Sequence, residues 1–151
     1  MINQLAIQLK EMQTLAEQWE TTNPAVSSSS VGWHLLHNLQ VINGVVATLA
    51  ASNPAEYAPK HTFRKWYVLF TKKIPRGKAR APKGVVPDTI SKEELDAALD
   101  RASLSVLNLL NQQPKHFFPH PLFGHLNTKH AKRFLWIHTE HHLKIVRNIL
   151  R

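Results

Sequence analysis

Four stretches of the chain carry apolar residues at steps of three and four, the spacing that puts them on one side of an α-helix, and no alternating strand pattern separates them. The first, about residues 2–20, aligns Ile2, Leu5, Leu9, Met12, Leu15, Ala16 and Trp19. The second, 31–51, follows the serines of "NPAVSSSS", which are good N-caps, and aligns Leu35, Leu39, Ile42, Val46 and Leu49. The third opens at "SKEEL", where Ser91 and Glu94 have capping-box spacing. It continues through Leu95, Ala98, Leu99, Ala102, Leu104, Val106, Leu107 and Leu110, and stops before Pro114. The fourth starts at Asn127, an N-cap candidate, and runs to the C-terminus. The expected fold is all-α, a four-helix bundle in a single domain spanning 1–151. About 40 residues separate the second and third helices, with a short extra helix at "HTFRKWYVLFTKK" and then the loop "IPRGKARAPKGVVPDT". A connection that long lets the second and third helices run parallel, and such connections are often functional.

Apolar residues at 43% and charged residues at 19% exclude a disordered chain, and no apolar run approaches the roughly 18 residues of a membrane helix. No membrane partner is expected. The first twenty residues mix Gln, Glu and Lys among apolar ones, unlike a signal peptide, so a cytoplasmic location is expected. With no Cys, only His, Asp and Glu remain as side-chain metal ligands. The 19 Lys and Arg against 10 Asp and Glu invite a nucleic-acid reading. Much of the excess sits in "RKWYVLFTKKIPRGKARAPKG", a local segment rather than a groove-filling helix, so nucleic acid is the least favoured partner.

The closing helix "FLWIHTEHHLKIVRNILR" places His138 and His142 one turn apart on the stripe shared by Leu135, Ile145 and Ile149. Two neutral imidazoles turned toward a core need partners for their ring nitrogens, and one metal ion supplies a partner to each. His141 lies near the stripe as a supporting or surface residue, and Glu140 faces away. The third ligand comes from His34 or His37 in "SVGWHLLHNL". Periodicity favours His34, nearer the centre of the apolar face, over His37 at its border.

"SVGWHLLHNL" followed about a hundred residues later by "IHTEHHLKIV" resembles the DinB-like superfamily of metal-binding four-helix bundles, and more narrowly a DinB-related domain of unknown function. The family pattern is a Ser or Thr, an apolar residue, and a His seven positions after the Ser, matched by Ser30, Val31 and His37. The His-x-x-x-His on the last helix is matched by His138 and His142, and "HPLFG" and "HTEHH" recur in the narrower group. The resemblance implies an up-down-down-up bundle, one divalent ion such as zinc or nickel, a homodimer, and His37 as the third ligand. His34 then becomes a neighbour or structural histidine. Three neutral imidazoles leave the ion's charge uncompensated and positions open, as in catalytic zinc sites rather than closed structural ones. The resemblance implies thiol transfer or hydrolysis on a small molecule, with a low-molecular-weight thiol as one substrate class. A non-catalytic metal-binding or stress-response protein is the alternative, and a basic nucleic-acid-binding module the third.

The basic loop holds Lys72, Lys73, Arg76, Lys78, Arg80 and Lys83. It reads either as a solvated loop or as a cationic lid, with Arg76, Lys78 and Arg80 recognising an anionic substrate. "FFPHPLFGHL" reads as a packed connection whose His120 and Phe123 are candidates for the pocket, and Trp33 as core or pocket wall. Trp19, Trp66 and Trp136 are expected as core or interface anchors, and His61, His116, His125 and His130 as exposed residues.

Overall fold

The computed structural model describes residues 2–75, 83–87 and 89–151. Among these residues five α-helices form: α1 (Ile2–Leu15), α2 (Val31–Ala51), α3 (Phe63–Thr71), α4 (Lys92–Asn108) and α5 (Thr128–Ile149). Short 3-10 turns extend α1 through Ala16–Gln18 and α4 through Leu109–Asn111. The long helices α1 and α2 each pack against both α4 and α5. Leu5 and Met12 of α1, Leu39 and Ile42 of α2, Leu95 and Ala102 of α4, and Leu135 and Val146 of α5 meet in one buried cluster. Arg147 of α5 clasps Glu11 of α1, at 2.7 Å, and Glu140, at 2.8 Å, over the outside of that packing. No helix among the described residues is long and apolar enough to cross a membrane.

Helix starts follow their caps. Ser30, Thr62, Ser91 and Asn127 each accept, through the side chain, a backbone N–H three residues on. This fixes where α2 begins and therefore puts His37 two turns inside it. The remaining N–H groups of α2 are taken up by the chain before it: Val31 donates to the Thr21 carbonyl and Gly32 to that of Trp19, at 2.7 Å. The approach is close enough that a Cβ on Gly32 would lie 2.9 Å from the Trp19 oxygen. Replacing Ser30 with Ala removes one of these partners and is expected to lower stability by about 1 kcal/mol, read from a denaturant midpoint, with the fold retained.

The expectation of an all-α chain is corrected by a two-stranded antiparallel sheet. Strands β1 (Phe117–His120) and β2 (Gly124–Asn127) pair from Phe117 with Asn127 to His120 with Gly124. The strands are only four residues each and one contains Pro119, so neither gives an alternating run, and proline is tolerated because the hairpin has free edges. A three-residue loop closed by Gly124 at φ +68 makes the turn, a conformation that side chains rarely adopt. The same glycine lets the hairpin approach Lys60, whose Cβ would sit 2.9 Å from a Cβ placed there.

Three further expectations change. Leu104, Leu107 and Leu110 are exposed, at 63%, 58% and 57%, rather than part of the core. His116, His125 and His130 are half-buried against the hairpin and α3, and only His61 of that group is exposed. Trp66 is exposed and belongs to no core, whereas Trp19 and Trp136 pack against it.

Candidate metal centre

Helix α2 carries His34, His37 and Asn38 on the side facing α5, and α5 answers with Phe134, His138 and His142. Steps of three and four on each helix stack these groups into one layer. The donor atoms of His37, His138 and His142 lie within 4.8 Å of one another. Among the described residues this is the one grouping of three or more His, Asp or Glu arranged to hold a single ion. The ring centroids are separated by 4.6 Å (His138 and His142), 4.8 Å (His37 and His142) and 5.3 Å (His37 and His138). His37 and His142 are 4% and 8% exposed. His138 is half-buried.

Hydrogen bonds fix which nitrogen of each ring faces the centre. His37 donates from Nδ1 to the Val85 carbonyl, at 2.5 Å. His138 donates from Nδ1 to Asn38 Oδ1, at 3.1 Å, and the Thr139 hydroxyl donates to the same oxygen. His142 Nδ1 meets His34 Nδ1 at 3.1 Å, and His34 Nε2 meets the Ser27 hydroxyl at 2.9 Å. With every Nδ1 engaged, Nε2 is the donor atom of all three rings, the arrangement that outer partners impose on metal-bound histidines. Ligation through Nε2 of His142 sets the direction of its chain: Nδ1–H of His142 donates to His34, and Nε2–H of His34 donates to Ser27.

Burial keeps these imidazoles neutral. It lowers the pKa of His37, an effect the Val85 carbonyl partly opposes. It drives His138 and His142 well below the ordinary histidine value, with neighbouring histidines pushing the same way. A neutral ring is the state a metal ligand needs. Tetrahedral coordination at about 2.1 Å spaces nitrogens about 3.4 Å apart, so the 4.8 Å limit leaves little more than an ångström to close by ring rotation. Three nitrogen donors with no carboxylate among them fit a borderline ion such as zinc or nickel better than magnesium or calcium.

A family model for proteins of unknown function, DUF1569, matches residues 1–149. The chain belongs to that family. No curated protein and no solved structure matches the chain. The chemistry of the site in this DUF1569 member therefore has to be read from its own side chains.

The structure brings together His37, His138 and His142 as one grouping and places His34 directly behind it, bonded to His142. The more central of the two α2 histidines supports His142 from behind, and the one at the border of the apolar face reaches the cluster. Trp33 stacks on His37, ring centroids 5.2 Å apart and planes 14° from parallel, and forms a wall of the site. His141 stands edge-on to His142 at 5.2 Å, outside the trio. His120 stacks on Phe123 at 4.1 Å and lies edge-on to Phe134 at 4.8 Å, which in turn is 5.4 Å from His138. The hairpin thus closes an aromatic cover over His138. His120 Nδ1 accepts the Leu122 and Phe123 N–H groups, and burial pushes its pKa down to about 4. Glu140 is engaged by Gln8 and Arg147 on the α1 side, away from the cluster. Arg76, Lys78 and Arg80 lie outside the described residues.

Sequence reasoning missed Asn38, Ser27 and Val85. Asn38 directly follows His37 and is 1% exposed, and a buried amide beside a candidate ligand is the signal that identifies it. Val85 acts through its backbone carbonyl, which no residue type reveals. If His34 holds His142 in its ligating tautomer, His34→Ala lowers zinc affinity about 10- to 100-fold. Competition with a chromophoric chelator measures this, and Ser27→Ala, one bond further out, is expected to have the smaller effect.

Proposed function

We propose that this chain is a DinB-like four-helix bundle, wound up-down-down-up and acting as a homodimer in the cytoplasm. In this reading it holds one divalent ion, zinc or nickel, through His37, His138 and His142 and uses it in thiol transfer or hydrolysis on a small molecule. The observation that carries the reading is the convergence of three neutral imidazoles whose donor atoms lie within 4.8 Å of one another, each with its Nδ1 hydrogen-bonded outward. When bound, the ion supplies Lewis acidity at positions the protein leaves open. The chain's own part is to present three uncharged donors, so that the ion's charge is balanced by what binds to it. A thiol that ionises, or a substrate carrying a carboxylate, satisfies that requirement. Trp33, Phe123, Phe134 and His120 supply apolar walls that exclude water and strengthen the attraction.

A second reading, metal binding without turnover, is favoured by a different observation. Two clefts among the described residues lie away from the cluster, one between α2 and α4 lined by Asn43, Ala47 and Ser105, the other between α1 and α4 lined by Ala6, Gln13 and Ser103. Protein purified without a nickel column and reconstituted with zinc or nickel separates the readings. Turnover of chlorodinitrobenzene with one of several low-molecular-weight thiols, or of an ester, above the rate of the metal-free protein is expected. Stoichiometric metal with no turnover across the panel favours the binding protein, and no retained metal removes both.

A further inference from the structure

Helix α3 is apolar on two opposite faces, and only one of them is used. Taking about 100° of turn per residue, Lys65, Val68 and Leu69 fall together on the side that packs toward α5, and all three are buried. Phe63, Trp66, Tyr67 and Phe70 fall within an arc of about 100° on the other side. They are 83%, 47%, 41% and 84% exposed. Their spacing of i, i+3, i+4 and i+7 is that of a buried stripe, yet Phe63 and Phe70 stand almost fully open, and Trp66 is only partly covered, by His61 and His130. The open area is on the order of 500 Å², at the upper end of apolar patches on monomeric surfaces.

Charge surrounds this ridge asymmetrically. Residues 57–87 contain nine Lys and Arg and no Asp or Glu, while the remainder of the chain holds ten of each sign, so the whole +9 of the protein belongs to this segment. Lys60, Arg64, Lys72 and Lys73, beside or on α3, are all exposed. A symmetric contact with a second copy through this face would press these cations against their own counterparts, which charge complementarity forbids. A single nucleic-acid strand stacks its bases along a groove, whereas α3 offers a convex ridge of nine residues. Aromatic rings on a convex helix bordered by Lys and Arg match a different partner. The rings enter the boundary between headgroups and acyl chains, and the cations meet anionic headgroups.

We propose that α3 docks this protein onto the surface of an anionic phospholipid bilayer, with Phe63 and Phe70 inserted and Arg64 and Lys73 at headgroup level. The helix lies on the surface and does not span it. This replaces the expectation of no membrane partner, which rested only on the lack of a spanning segment.

Co-sedimentation of the full chain with vesicles of phosphatidylcholine, with and without phosphatidylglycerol, tests the proposal. Binding is expected only when phosphatidylglycerol is present, and weakens as salt is raised. The double variant Phe63→Ser, Phe70→Ser is expected to bind about tenfold more weakly or worse, and so is Arg64→Gln, Lys73→Gln. All four side chains are exposed, so thermal midpoint and circular dichroism serve as controls for folding. Failure of the wild-type protein to bind phosphatidylglycerol vesicles, or equal binding by the phenylalanine variant, overturns the proposal. So does a wild-type dimer that the phenylalanine variant converts to monomer without any lipid binding. Tighter binding to a single-stranded oligonucleotide than to vesicles, lost in the same variants, replaces it with a nucleic-acid surface.

Discussion

Zinc or nickel is expected to raise the thermal midpoint of the metal-free protein by about 5–10 °C, and to leave His37→Ala and His142→Ala where they were. The size follows from linkage: an ion that binds only the folded chain, at a hundred times its dissociation constant, adds about 2.7 kcal/mol. For a chain near 150 residues each kcal/mol is worth about 2–4 °C. Each alanine removes one of three donors from a site that has no carboxylate in reserve. Both positions are less than a tenth exposed, so each variant is also less stable without metal, and the informative quantity is the shift on adding the ion. Chelator returns the wild-type midpoint to its starting value. A full shift in either variant places the ion elsewhere.

Acid is expected to destabilise the metal-free protein steeply. His37, His120, His138 and His142 all have folded-state pKa values below the ordinary one, His120 at about 4, with burial the leading cause. Above about pH 6.5 these rings are neutral whether the chain is folded or not, and their contribution is fully present. As pH falls below that value the unfolded chain takes up protons that the folded chain refuses, and stability is lost. Each histidine that stays neutral removes about 1.4 kcal/mol per pH unit. Four such groups set an upper slope on the order of 5 kcal/mol per unit, softened where water enters as the protein loosens. Denaturant midpoints measured in chelator from about pH 7.5 down to about pH 4.5 check this. Bound metal moves the loss to lower pH, because protons must then displace the ion. A midpoint flat across that range contradicts the buried, neutral cluster.

The sequence makes helix starts more legible than it makes burial. Serine and asparagine caps mark α2, α4 and α5 because a side-chain oxygen there does a defined job, and the structure shows Ser30, Ser91 and Asn127 doing it. Leu104 and Leu107 were expected in the core because they are leucines in a helical stretch. Counted around the helix, Leu104 lies opposite Leu95, Ala102 and Val106, the residues α4 buries. The hairpin escaped because its strands are too short to show a period and one carries Pro119. It matters to the site, since it delivers His120 and Phe123 to Phe134.

The two α2 histidines show the limit of periodicity most clearly. His34 lies nearer the centre of the apolar face, bonded to His142 and Ser27, yet at 5% exposed it is no deeper than His37 at 4%. What separates them is direction: the border position turns His37 toward His138 and His142, and His34 lies behind His142. The spacing of His37 from Ser30 has a physical meaning here: Ser30 starts the helix, and two turns later the ring is level with His138 and His142.

Diffraction from crystals grown with zinc, recorded on both sides of the zinc absorption edge, tests the central claim most directly. One anomalous peak is expected about 2.1 Å from Nε2 of His37, His138 and His142, with Nδ1 of His142 still bonded to His34. A peak on other ligands, or none while the three rings keep their places, contradicts it.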